Sequence, residues 1–143
     1  MTLRMFASLL VVVGLACQGD PSSSVAGVTL DLAVTRTTLQ RGGLDTLTMT
    51  LTNTNAYPVS LSGGACEPSV YVVDGRGATV VPAGGGWVCI MVIRALRLAP
   101  GEQYAHSFVW QTDSLAAGVY WAHATFNSEE LRLATKAVAV RLN

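Results

Sequence analysis

The chain has 143 residues, half of them hydrophobic and only 13% charged, with nine basic and nine acidic side chains cancelling. That length holds one ordinary domain whose core is large enough to fold without exceptional staples. The lack of any charge surplus removes the electrostatic footprint that nucleic-acid binding requires, so no nucleic-acid partner is expected.

At the N-terminus, Arg4 precedes an apolar run of about a dozen residues, 5–16. A run of that length is too short to cross a bilayer, which takes ~20 residues, and fits the hydrophobic region of a secretion signal. The following "GLAC", residues 14–17, sets small and apolar residues before Cys17. It is similar to the lipobox of bacterial lipoproteins, in which the cysteine is lipidated and becomes the mature N-terminus, although Gly14 stands where such boxes usually carry Leu. The same residues also suit an ordinary signal peptidase cutting after Ala16. Residues 17–26, opening "CQGDPSSS", have no apolar face to bury and read as a flexible tether. A tether favours the lipid, since acyl chains contribute ~0.8 kcal/mol per buried methylene and several together hold a protein effectively permanently. The expected location is the cell envelope, with Cys17 lipid-anchored to a membrane (the outer one where the host has two); a soluble secreted or periplasmic product is the alternative.

From residue 27 onward the period is two. In "DTLTMTLTN", residues 45–53, Leu47, Met49 and Leu51 alternate with Thr46, Thr48, Thr50 and Thr52, giving one core face and one solvent face. The alternation recurs at Val28, Leu30, Leu32 and Val34, and at Val138, Val140 and Leu142. Between these lie "YPVSL" at 57–61, "SVYVVD" at 69–74 with the turn Gly75-Arg76-Gly77, "ATVV" at 78–81, "QYAHSFVW" at 103–110 and "GVYWAHATF" at 118–126. About eight short strands spaced by turn residues, with no 3.6 period, predict an all-β chain: an antiparallel β-sandwich over residues 27–143. In "SLAAGVYWAHATF", Leu115 and Gly118 precede Tyr120 by five and two residues. That is the setting of the tyrosine corner and makes the expected sandwich immunoglobulin-like. Residues 83–94, "AGGGWVCIMVIR", join three glycines to an apolar run and predict neither loop nor strand decisively.

An exported chain sits where disulfides persist, and with Cys17 taken by lipid the even remainder is Cys66 and Cys89. A bridge between them closes about 22 intervening residues, for which loop entropy gives roughly 3 to 3.5 kcal/mol. Zinc is the weaker reading of the pair, because it needs four ligands with close-spaced pairs and neither His106 nor His123 is near a cysteine in sequence.

The stretches "LTMTLTNTNAYPVSL", "VYVVDGRGATVV", "LRLAPGEQYAHSFVW" and "LAAGVYWAHATF" together resemble the BsuPI-type intracellular proteinase inhibitor domain. The resemblance covers nearly all of residues 28–126 in order and implies an immunoglobulin-like sandwich, with protease inhibition as the activity the family's name carries. The chain departs from that pattern in its export signal and in Cys66-Glu67-Pro68 and Cys89, and it offers no reactive-site motif that transfers residue by residue.

Catalysis finds little support. There is no Gly-x-Ser-x-Gly elbow, and His106 and His123 alternate with aromatic strand residues without a carboxylate spaced to orient either. Glu129-Glu130, the only adjacent carboxylate pair, reads as a solvated turn rather than an acid catalyst or a calcium site. "AGGGW" lacks the Gly-Lys-Ser/Thr ending of a phosphate loop. No catalytic residue, metal or cofactor is therefore expected. What remains is a surface: Trp87, in a loop pinned by the bridge, and Trp121, opposite in parity to Tyr120, are the candidate partner-binding residues. For each the competing reading is packing, Trp87 folded back as a cap and Trp121 covered by cross-strand neighbours. The expected function is a non-enzymatic envelope protein that binds a protein partner, a protease in the manner of the resemblance. The alternative is a structural or carbohydrate-binding envelope module.

Overall fold

A computed structural model describes residues 23–25, 27–64, 66–90 and 92–143. The expected signal segment 1–16, the lipid site Cys17 and the first part of the tether lie outside them. Among the described residues there are twelve strands and no helix: β1 (Ser23–Val25), β2 (Val28–Val34), β3 (Thr38–Leu39), β4 (Leu44–Asn53), β5 (Val59–Gly64), β6 (Ser69–Val73), β7 (Thr79–Val81), β8 (Ile93–Leu98), β9 (Gln103–Gln111), β10 (Gly118–Asn127), β11 (Arg132–Ala134) and β12 (Val138–Leu142). The eight segments expected from period two are all strands; four more join them.

One sheet runs β1-β2-β4-β9 and the other β3-β12-β10-β6-β7, with β11 beside β10. A two-stranded ribbon, β5-β8, stands apart. Pairing is antiparallel except for β3 with β12, which is parallel. Period two in β4 does what it predicts: Leu47, Met49 and Leu51 are buried, and the threonines between them remain half-exposed. They meet Val70, Val72, Ala122, Ala124, Phe126 and Val140 from the opposite sheet in one hydrophobic core. The rings of Trp110 and Tyr120, 5.8 Å apart and edge to face, join the sheets across it. Tyr120 makes the expected corner, its hydroxyl donating to the Ala116 carbonyl at 2.9 Å.

Two boundaries differ from the sequence reading. Strand β1 falls inside the stretch read as tether, where it pairs with β2 and places Val25 opposite Val28. Gly27 closes that hairpin with φ +71, a backbone conformation that favours glycine, and a Cβ there would also displace the Asn55 side-chain amide, 2.2 Å away. In residues 83–94 the chain is loop over 83–90 and at Val92, and from Ile93 it forms β8, which pairs with β5 from Val59↔Leu98 to Gly64↔Ile93. β8 escaped the period-two reading because its first three residues are exposed on both faces and only Leu96 and Leu98 turn inward.

Candidate functional site

Where β9 meets β6 and β7, the two sheets do not close completely. Pairing of β9 with β4 in the register Met49↔His106 sends Tyr104, His106, Phe108 and Trp110 toward the other sheet. Trp110 is buried in the core, but Tyr104 and Phe108 are only half-buried and His106 is exposed. The reason is topological: β9 is the last strand of its sheet, so its inward face has cover on one side only. The result is a seam along the side of the sandwich.

Trp87 crosses this seam. Its indole N–H donates to the Val70 carbonyl at 3.2 Å, and its ring meets Phe108 edge-on at 5.5 Å. The loop that carries it is tied by the Cys66–Cys89 disulfide, with Cα atoms 5.6 Å apart, to the segment entering β6. Trp87 thus folds back against the core, and in doing so it separates two hollows. The first, of about 220 Å³, lies among Met49, Glu67, Trp87, Arg94, Tyr104 and His106. The second, of about 350 Å³, lies among Pro82, Trp87, Phe108, Trp110, Asp113 and Leu115.

The charges at the first hollow are unevenly matched. Both Glu67 carboxylate oxygens accept hydrogen bonds from Asn127, one from its backbone N–H at 3.0 Å and one from its side-chain amide at 3.1 Å. Arg94 is exposed at the rim, and its side chain has no hydrogen bond or ion pair among the described residues. Beyond Trp87, Val88, Ile90, Val92 and Ile93 are exposed, an apolar strip next to the bridge.

Trp121 is elsewhere. It lies half-buried on the outer face of β10, between Val73 and Ala139 of the neighbouring strands, with its ring near the Gly75 turn. On the same face His123 stacks on Tyr71 with centroids 5.5 Å apart, and its partial burial lowers its pKa from the ordinary 6.5. The histidines therefore occupy different sheets and do not meet. Glu130 lies in the turn before β11, where the Ser62 backbone N–H donates to it at 3.0 Å and holds its carboxyl below the ordinary range. Among the described residues no three His, Cys, Asp or Glu side chains gather as a metal site would require. Sequence reasoning picked out Trp87 and noticed His106 but not Arg94, Glu67, Tyr104 or Phe108 as its companions. The parity of "QYAHSFVW" carried Tyr104 and Phe108; nothing local carried the other two.

Fold and seam together define a class: a disulfide-bonded, immunoglobulin-like β-sandwich with an incompletely closed side. The bridge points to an extracellular or periplasmic location, where disulfides persist. No helix among the described residues is long and apolar enough to cross a membrane. No family model matches the chain, and neither does any curated protein sequence. Solved structures do. The C-terminal domain of Wzt superposes with a TM-score of 0.51 at 12% identity, covering 85% of this chain and 77% of that one. The CARDB domain of a Pyrococcus furiosus protein, solved in complex with di-metal ions, gives 0.50 at 15% identity, covering 81% and 87%. A Listeria innocua β-glucosidase in complex with gluconolactone gives 0.50 at 12% identity; there the match covers 85% of this chain but spans only 16% of the enzyme's length. At these identities the likeness is one of fold.

Proposed function

We propose that this chain is a non-enzymatic, exported binding module, held at the cell envelope through a lipid on Cys17, that takes a protein partner at the seam beside Trp87. The observation that carries the proposal is the hollow itself: half-buried aromatic rings beside Arg94, whose side chain has no hydrogen bond or ion pair among the described residues. Binding sites combine such an apolar floor with a few polar tips, and tryptophan and arginine dominate interface energetics. The resemblance to BsuPI-type domains supports a protease as the partner. The test is affinity capture from native envelopes with the full chain, run beside Trp87→Ala and Trp121→Ala. Loss of one specific partner with Trp87→Ala alone is expected; loss with Trp121→Ala alone would move the site to the outer face of β10. Stoichiometric slowing of the captured enzyme, if the partner is a protease, tests the inhibitory form.

A further inference from the structure

β9 is a nine-residue strand at the end of its sheet, paired with β4 on one side and with no described strand on the other. Its register fixes which backbone groups are free. At one end the Thr112 N–H donates to the Gly43 carbonyl at 3.2 Å, and at the other the Asn53 N–H donates to the Glu102 carbonyl at 3.0 Å. Even-numbered residues therefore face β4, and the N–H and C=O groups of Gln103, Ala105, Ser107, Val109 and Gln111 face outward. Exposed edges are normally kept short or guarded by charge or proline. β1, β3 and β7 are two or three residues long, and β8 carries Arg94 and Arg97, but "QYAHSFVWQ" has no carboxylate, lysine, arginine or proline.

Resting on the seam as the binding site, we infer that the partner contributes an extended segment that adds to β9 as a further strand. Alternate side chains of that segment enter the hollows on either side of Trp87. A row of alternating donors and acceptors is complementary to another extended backbone, and strand addition of this kind takes affinity from the main chain and specificity from pockets for every second residue. One inward side chain would lie opposite His106 and another opposite Trp110, four residues apart and about 13 Å along the strand. Arg94 adds a charge requirement, because Glu67 is already occupied by Asn127: the segment carries a carboxylate near its first anchor. A second copy of this chain fits poorly. Its own β9 has no carboxylate to offer, and its Tyr104, His106, Phe108 and Trp110 already face its own core.

The probe is a displayed library of random linear dodecapeptides selected on the immobilised full chain, with the best binder synthesised and titrated. Enriched sequences are expected to hold two apolar residues four apart and an Asp or Glu. N-methylating every second amide of the binder should weaken it at least tenfold, and methylating the intervening amides should do little. Ala105→Pro should weaken binding to the same degree with an unchanged circular dichroism spectrum; Val109→Lys, which guards the edge without touching the backbone, is the parallel variant. Binding that disappears with Trp87→Ala but ignores N-methylation at every position would overturn strand addition and leave the seam as the site. A selection that enriches nothing overturns both, and a concentration-dependent dimer abolished by Ala105→Pro gives the edge to a second copy instead.

Discussion

Asn53 shows how much one buried amide can organise. It is fully buried at the end of β4, and its side-chain nitrogen donates to the carbonyls of Tyr57, Leu98 and Ala99 at 2.9 to 3.1 Å, two hydrogens shared among three acceptors. Its side-chain oxygen accepts from the Asn55 backbone N–H at 2.9 Å. Two stretches of chain, 53–57 and 98–99, meet there with their polar groups satisfied. Asn53→Ala is expected to cost about 3 kcal/mol in urea unfolding, because it leaves several buried carbonyls and an amide without partners. Asn53→Asp should cost more at neutral pH, since a carboxylate has nothing to donate. At His123 the prediction concerns pH. Burial lowers the folded pKa, so the unfolded chain binds the extra proton more readily. Stability is then full above the ordinary value of 6.5 and is lost as pH falls through it toward the folded value. Melting temperature should decline as pH falls through about 6.5, and His123→Gln should flatten that decline.

Among the elements, the loop before β8 depends most on a single covalent tie. Cys66 and Cys89 are 23 residues apart in sequence, and with Val70 and Phe108 they hold Trp87 across the seam. The double variant Cys66→Ser/Cys89→Ser should lose about 3 kcal/mol of stability, chiefly by loosening the unfolded chain. It should also shift tryptophan emission to the red as Trp87 gains water. An unshifted spectrum would mean that the indole's own contacts hold it without the bridge. β4 and β8 mark the two extremes of legibility. A strand buried on one face prints alternation into its sequence, because every second side chain must leave water. β8 is bared on both faces over its first three residues, and only Leu96 and Leu98 at its end turn inward, too short a run for alternation to stand out in "IRALRL".

For the whole molecule, the proposal joins a lipid on Cys17 to the folded sandwich: a domain that would be held at a surface and would meet its partner at the seam. Cys17→Ser is expected to move the protein from the membrane fraction to the soluble fraction without changing its melting temperature, as cell fractionation and mass spectrometry of the mature N-terminus would show. The all-β class, the sandwich, the tyrosine corner and the cysteine pairing were legible from the chain alone, because each rests on a simple rule: burial at every second residue, a turn at fixed offset, an even count of thiols once Cys17 is set aside. Trp87 could be singled out but not placed. Its meeting with Phe108, the isolation of Arg94 by the Glu67–Asn127 pairing and the free edge of β9 join residues far apart in the sequence. Local pattern records which side of a strand is dry. Which strand ends a sheet, and what lies beside it, is decided only when the two sheets pack.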